Sequence, residues 1–274
     1  MIRLIITAFY RLVRDNGFSL ASAVAFSFLL SVFPFFVFLG SLIGYFGWED
    51  QLRDIILQLF AVLPDDVERV LLPEIDTVIR GDRIGLITVS GLVMLFFASS
   101  GIETLRGALN RAYRDEDGRG FLARRLQGFL FVFTSAAIMI IVGAILLFAP
   151  RIAQEISPLA VMLVENEFIV QILTYVAGLL ILVIQLLLYH IGLPAGHRRL
   201  SDIFPGVFVS VILWLILASL FSIYVNISDF GELYGRLTGI AIALTFFYFS
   251  SVIIILGAEY NRARLEAHSQ NQEV

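Results

Sequence analysis

The stretch LASAVAFSFLLSVFPFFVFLGSLIGYF, residues 20–46, decides the fold because it contains no Asp, Glu, Lys, Arg or His. A helix of about 20 apolar residues crosses the ~30 Å hydrocarbon core of a bilayer. This run is long enough to span with some tilt, whereas a soluble protein would have to bury such a helix on every side. Pro34 lies near its middle, where a proline bends a helix and frees a backbone carbonyl. Pro34 is therefore a candidate hinge, and a simple packing kink is the plainer interpretation.

Similar apolar runs recur along the chain and predict an all-α, polytopic membrane protein. The six spans are expected at about residues 20–46, 84–109, 128–149, 169–193, 204–227 and 237–258. Pro150 is expected to end the third span. We predict one six-helix transmembrane domain over residues 1–266 and a disordered tail over residues 267–274. Composition agrees, because 59% of the residues are apolar against roughly 45–50% in globular domains.

The segments between the spans indicate topology. Residues 1–19 have the pattern of a short amphipathic helix at the membrane interface. The loop over residues 47–83 predicts an amphipathic helical hairpin that lies on the outer membrane surface or covers a cavity. Arginines concentrate in alternate segments, namely 1–19, 103–127, 198–199 and 262–264. Because positively charged loops stay in the cytoplasm, both termini are predicted to be cytoplasmic.

Polar residues at the ends of two spans are the candidate functional residues, since ionisable groups within the membrane are costly and mark functional sites. Glu103 and Arg106 have the i, i+3 spacing of an ion pair, and Asn110 follows one turn later. Glu259 and Asn261 lie at the matching end of the sixth span. These five residues are interpreted as a polar cluster that closes the cytoplasmic end of a cavity. Solvation of helix ends is the plainer alternative.

The segment that follows the second span is rich in arginine. Its candidate contacts to anionic lipid head groups are Arg111, Arg114, Arg124 and Arg125, each worth about 1 kcal/mol near a charged surface. Setting the topology is the simpler role for the same residues. An internal echo adds to the pattern, because FFASS (96–100) precedes NRA (110–112) as FYFSS (247–251) precedes NRA (261–263). A parallel repeat, as in some transporters, and coincidence both account for it.

Several function classes find no support in the sequence. The chain has no Cys, and His190, His197 and His268 lie in separate segments without metal-binding spacing. A GxSxG motif is missing, and the net charge of −4 gives no nucleic-acid footprint. We therefore expect no enzymatic activity, no cofactor, no metal site and no nucleic-acid partner. Membrane lipids are the expected partners, and envelope proteins or further copies of the chain are additional candidates.

The chain resembles a known family in segments distributed over nearly its whole length. The matching segments are ASAVAFSFLLSVFP (21–34), SSGIETLRGALNRAY (99–113), PGVFVSVILW (205–214), YGRLTGI (234–240) and SSVIIILGAEYN (250–261). They are similar to the YihY / virulence factor BrkB family of bacterial inner-membrane proteins. The resemblance implies six transmembrane helices, a place in the bacterial cytoplasmic (inner) membrane and a role in envelope integrity. Some relatives are linked to serum resistance and others to export or balance of envelope lipids.

Three functional hypotheses follow. The leading one is a transporter-like protein that moves or gates an envelope lipid or another amphiphile, suggested by the Pro-interrupted first span, the amphipathic outer loop and the arginine-lined cytoplasmic end. The alternative is a non-transporting scaffold for envelope integrity. Family members were long labelled ribonuclease BN, a tRNA-processing enzyme. That reading is the least favoured, because the sequence has neither a cluster of metal ligands nor a basic nucleic-acid face.

Overall fold

The computed structural model describes residues 2–45, 83–156, 166–227 and 238–270, which form helices and no strand. The helices are α1 (Ile2–Arg14), α2 (Gly17–Tyr45), α3 (Arg83–Tyr113), α4 (Phe121–Ile156), α5 (Glu167–Gly192), α6 (Leu200–Ile227) and α7 (Thr238–Gln270). By length and composition, six of them could cross a membrane, which confirms the predicted all-α membrane fold. The cytoplasmic placement of the termini stays a prediction. The predicted hairpin over residues 47–83 lies, except for its last residue, outside the described part.

The first span is α2, and it continues as a helix through Pro34. Proline within a helix removes one backbone hydrogen bond, a loss that membrane helices tolerate where nearby groups satisfy the freed carbonyls. Close to this position, the Ser31 hydroxyl donates a hydrogen bond of 2.7 Å to the carbonyl oxygen of Phe28. The hinge role of Pro34 stays a prediction.

Two helices continue past predicted boundaries. Helix α4 continues through Pro150 to Ile156, and a membrane helix accommodates a proline by local adjustment of its backbone; the end of the third span itself stays a prediction. The tail does not begin at residue 267, because α7 continues to Gln270. The end of α7 contains no Gly or Pro, and Arg262 donates to Glu266 at 2.6 Å one turn later, a spacing that stabilises helices. Residues 271–274 lie outside the described part.

The chain divides into two compact units. Unit 1 comprises Met1–Asp15, Leu109–Ile212 and Leu256–Val274, and unit 2 comprises Asn16–Ala108 and Leu213–Ile255. The spanning helices α3, α6 and α7 each contribute residues to both units. The single transmembrane domain stays a prediction, and each unit is described by itself.

Aromatic packing characterises unit 2. The Phe246 ring lies 5.9 Å from Trp214 and 5.2 Å from Phe221 between ring centroids, distances at which aromatic pairs attract each other. Helix α2 approaches α3 closely at Gly101, where an added Cβ would lie 3.0 Å from the Phe28 ring. Small residues thus allow these spanning helices to pack, as is common in membranes.

In unit 1, α6 and α7 approach each other at two glycines. A Cβ placed on Gly206 would lie 2.2 Å from the carbonyl oxygen of Gly257, so neither helix could hold its position if Gly206 carried a side chain. Helices α4 and α5 meet through the stacked rings of Phe131 and Tyr189, 6.2 Å apart. Only 6–28% of the residues in the spanning windows are buried within the protein. The remaining apolar surface suits a lipid solvent.

Candidate functional site

The polar cluster of unit 1 begins where α3 ends. Arg114 has a φ of 65°, the Asp115 N–H donates to the Asn110 carbonyl at 2.9 Å and the Arg114 N–H donates to the Arg111 carbonyl at 3.2 Å. This is the Schellman arrangement, in which one left-handed residue ends a helix and satisfies its last carbonyls. The turn reverses the chain, so that residues 115–119 fold back toward the α5–α6 connection.

Arg114 occupies a backbone conformation that usually belongs to glycine. We expect Arg114→Gly to raise stability by up to about 1 kcal/mol, because the left-handed conformation costs an L-residue roughly 1–2 kcal/mol and the lost ion pair with Asp15 is half exposed and weak. The neighbouring Arg111→Gly is the matched control. It should lower stability by up to about 1 kcal/mol, since Gly has a lower helix propensity than Arg. Thermal unfolding in detergent without anionic lipid measures both, and equal signs for the two variants would contradict this assignment.

Asn110 is hydrogen-bonded to the segment that connects α5 and α6. Its side-chain oxygen accepts a 2.7 Å hydrogen bond from the Ala195 N–H, and its amide nitrogen donates to Asp117 at 3.1 Å. The side chain is 5% exposed. Since an Asn amide offers both a donor and an acceptor, Asn110 joins two connecting segments that are far apart in sequence.

Arg119 binds the same connection from the other side. Its guanidinium donates to Asp117 at 2.8 and 3.1 Å and to the Leu193 carbonyl at 2.7 Å. Gln127 accepts a further bond at 2.9 Å and donates to the Gly192 carbonyl. Burial lowers the pKa of Arg119, although a guanidinium remains charged at any physiological pH. The exposed carbonyls at the end of α5 are thus capped by a cation, which also suits the helix dipole.

Arg198 lies against the ring of Tyr113, with its guanidinium carbon 3.8 Å from the ring centroid. The same guanidinium donates to Asp115, and Asp115 accepts a bond of 3.2 Å from the Gly196 N–H. An added Cβ on Gly196 would lie 2.7 Å from the Asp115 carboxylate. A cation over an aromatic face adds about 0.5–2 kcal/mol, so the arginine both pairs its charge and covers the ring.

A buried chain of three side chains lies beneath this layer. The Asn261 amide donates to the Tyr113 oxygen at 3.1 Å, and the Tyr113 hydroxyl lies 2.8 Å from His190 Nδ1. All three side chains are at most 1% exposed. Because Tyr113 accepts from Asn261, its proton is directed to His190, and this pattern assigns the His190 proton to Nε2. Among the described residues, Nε2 has no hydrogen-bond partner.

Asn261 also completes the first turns of α6. Its side-chain oxygen accepts from the Gly206 N–H at 2.6 Å, and its nitrogen donates to the Ile203 carbonyl at 2.9 Å. Pro205 has no N–H to offer the Ser201 carbonyl one turn before it, and Arg264 donates to that carbonyl at 3.2 Å. Helix α7 therefore supplies the bonds that the α6 backbone lacks.

Glu259 is the deepest carboxylate in the described part of unit 1. It is 1% exposed, and its Oε2 has no hydrogen-bond partner among the described residues. The charged groups that act on it are Arg11, Arg14, Asp15 and Glu266. Arg11 itself is bound to Glu266. A carboxyl group buried without a full set of hydrogen-bond partners is costly whether or not it is ionised, so the protein keeps Glu259 at this position despite a free-energy cost.

The other predicted site residues occupy different surroundings. Glu103 and Arg106 lie in unit 2 and form the ion pair that their spacing predicts, at 3.2 Å. The structure therefore places Asn110, Glu259 and Asn261 in one unit and the Glu103–Arg106 pair in the other. Of the candidate lipid contacts, Arg111 and Arg114 are exposed, whereas Arg124 and Arg125 are partly buried, with Arg125 5.6 Å above the Phe129 ring.

Comparison with known proteins decides the family. The sequence profile described as virulence factor BrkB matches residues 8–274. The chain belongs to the virulence factor BrkB family. It is also 29% identical over 259 residues to a protein of Bacillus subtilis (strain 168) named "Putative ribonuclease-like protein YfkH", and the match covers 92% of each chain. No solved structure matches the chain significantly.

For this BrkB family member, sequence reasoning found Asn110, Glu259 and Asn261 but missed the partners that complete the cluster. In the sequence, four of these partners look like ordinary charged residues of loops, namely Asp115, Asp117, Arg119 and Arg198. Tyr113 offered a signal, since it lies on the same helix face as Asn110. His190 offered another, because it lies near the end of an apolar run that otherwise contains no ionisable side chain. Such residues in spanning helices are functional candidates by default.

Equivalent residues of the internal echo in this BrkB family chain make similar hydrogen bonds. Asn110 and Asn261 occupy equivalent positions, and each accepts a backbone N–H: Asn110 from Ala195 in the segment between α5 and α6, and Asn261 from Gly206 in the second turn of α6. Ser100 and Ser251 are also equivalent, and each donates at 2.7 Å to the equivalent phenylalanine carbonyl one turn earlier. The two asparagines thus bind the α5–α6 connection and the start of α6, respectively, and the repeat itself stays a prediction.

Proposed function

We propose that this BrkB family protein is transporter-like and moves or gates an amphiphile with an anionic head, such as an envelope lipid, in the bacterial inner membrane. The observation that carries the proposal is Glu259, a carboxylate 1% exposed with one oxygen that lacks a partner among the described residues. It lies on a helix long and apolar enough to span the membrane. Ionisable groups that are kept in such helices despite their cost mark pathways or relays for substrates and ions.

The charges around Glu259 suit a substrate of this class. Arg11 and Arg14 act on it from α1, and Asp15 and Glu266 balance them. Arg111 and Arg114 are exposed at the end of α3. Arginine recognises phosphate oxygens through its planar fork of N–H donors. Apolar helix faces next to exposed arginines match a molecule with an apolar tail and an anionic head.

A non-transporting scaffold is the second candidate, and the backbone contacts of three polar side chains favour it. Asn110, Asn261 and Arg119 each bind backbone groups as well as side chains. Such bonds rigidify and specify a structure, which is the task of a scaffold. A ribonuclease is the least supported function. The described residues contain no group of three or more His, Cys, Asp or Glu side chains that could hold a metal ion, and the name of the Bacillus relative describes that protein alone.

The leaflet distribution of each lipid class distinguishes the first two candidates in cells. We expect deletion of the protein to redistribute a lipid class, and the double variant Glu103→Gln/Arg106→Gln to reproduce that change when expressed at the wild-type level. The variant removes both charges of the pair while it preserves side-chain length at Glu103. If the lipids stay unchanged while the envelope weakens, and only disruption of the 47–83 segment has an effect, the scaffold is the function.

A further inference from the structure

The first helix carries an apolar face that the described part of unit 1 does not cover. Ile6, Tyr10 and Val13 are 63%, 66% and 51% exposed, and they follow one another at i, i+4 and i+7 on one side of α1. The opposite side is fixed to the unit. Ala8 and Leu12 are fully buried, and Arg11 is bound to Glu266 of α7.

Chain connectivity limits what can cover this face. Only Asp15 and Asn16 separate the end of α1 from the start of α2, and the three Cα–Cα steps from Arg14 to Gly17 reach at most about 11 Å. Because α2 is a candidate membrane span, the end of α1 lies at the membrane surface whatever the direction of the span.

The charges of α1 favour one kind of surface. The helix contains Arg3, Arg11 and Arg14 and no acidic residue. Arg3 is exposed, and Arg14, which donates to Asp15 at 3.0 Å, keeps 47% of its side chain exposed, so both present positive charge beside the apolar face. Basic residues beside an apolar face bind the interface of anionic bilayers, where each charge adds about 1 kcal/mol. Tyr10 adds an aromatic ring with a polar tip, which suits the head-group region.

We propose that α1 lies in the bilayer interface, with Ile6, Tyr10 and Val13 among the acyl chains and Arg3 and Arg14 at anionic lipid head groups. The proposal is independent of transport. Through Arg11 it also ties the membrane surface to the charged end of α7, since the same helix that rests on lipid is bound to Glu266.

Tryptophan fluorescence of the full chain in vesicles tests this docking. Tyr10→Trp is made in a background in which Trp48 and Trp214 are replaced by Phe, and the protein is reconstituted into phosphatidylcholine–phosphatidylglycerol vesicles. Lipids brominated near the head group should quench its emission and leave it blue-shifted. Glu116→Trp in the exposed loop is the aqueous control, and Tyr175→Trp on the exposed side of α5 is the acyl-chain control.

Two results would overturn the proposal. Emission from Tyr10→Trp that matches Glu116→Trp, red-shifted and insensitive to brominated lipid, would place the face in water. Emission that is blue-shifted but insensitive to brominated lipid would place it against protein, such as a second copy of the chain. Replacement of phosphatidylglycerol by phosphatidylcholine alone should reduce the quenching, and the double variant Arg3→Gln/Arg14→Gln should abolish that lipid dependence. Persistence of the dependence in the double variant would contradict the assigned head-group contacts.

Discussion

Gly206→Ala is expected to destabilise the protein by more than about 3 kcal/mol, the upper end of the usual cost of overpacking. The added methyl carbon would lie 2.2 Å from the Gly257 carbonyl oxygen and 2.5 Å from the Asn261 side chain. The first of these atoms belongs to a helix backbone and cannot rotate away. Helices α6 and α7 would have to separate, and Asn261 would lose its bond to the Gly206 N–H.

Gly178→Ala is the matched control for this variant. Gly178 also lies inside a spanning helix, but nothing lies within 4 Å of a Cβ placed on it. The substitution should be neutral or stabilising by up to about 1 kcal/mol, since Ala favours a helix more than Gly does. Thermal unfolding and size-exclusion profiles of the two purified variants provide the comparison. Equal stability of Gly206→Ala and Gly178→Ala would show that α6 and α7 do not approach as described.

Asn261→Ala is expected to lower stability by about 3 kcal/mol, because it leaves several buried groups without partners at a cost of roughly 1–3 kcal/mol each. The Gly206 N–H and the Ile203 carbonyl each lose a hydrogen bond to the side chain, and the Tyr113 hydroxyl keeps only its bond to His190. Asn261→Asp should also destabilise, since the atom that donates to Ile203 and Tyr113 becomes an acceptor. This near-isosteric change separates the loss of hydrogen bonds from the loss of volume.

Asn166→Ala is the reference variant, which shows how much stability is lost when an exposed asparagine is replaced by alanine. Asn166 caps α5 and accepts from the Phe168 and Ile169 N–H groups at 3.1 and 3.2 Å in an exposed position. The loss of such a cap costs about 1 kcal/mol. Thermal unfolding should therefore rank Asn261→Ala well below Asn166→Ala. If the two variants unfold together, Asn261 is not the centre of the buried chain.

The fold could be predicted in outline from hydropathy alone. Each of the six apolar runs corresponds to a candidate span. In lipid, such a run must satisfy its backbone hydrogen bonds internally, and it therefore forms a helix. The ends were less predictable. Pro150 predicted an end to the third helix, but α4 continues through it to Ile156. The end of α7 carries charges, and these pair within the helix instead of ending it, as Arg262 and Glu266 do.

Only part of the candidate site could be predicted from the sequence. Asn110, Glu259 and Asn261 stood out because polar residues at the ends of apolar helices are unusual. Their partners did not, because hydrogen bonds across distant segments leave no periodic pattern. His190 and Tyr113 are separated by 77 residues yet lie 2.8 Å apart. Arg198 meets Tyr113 only because the α3 turn at Arg114 brings both connecting segments together.

The effect of replacing Glu259 on lipid crossing distinguishes a transporter-like protein from a scaffold most directly. The measurement is the rate at which a fluorescent phospholipid crosses between leaflets of vesicles that contain the purified protein. We predict that the wild-type protein accelerates crossing, that Glu259→Gln loses most of this acceleration and that Glu116→Gln, which alters an exposed carboxylate, retains it. Size-exclusion profiles establish that all three are folded. Crossing no faster than in protein-free vesicles, or full activity in Glu259→Gln, would contradict the proposal.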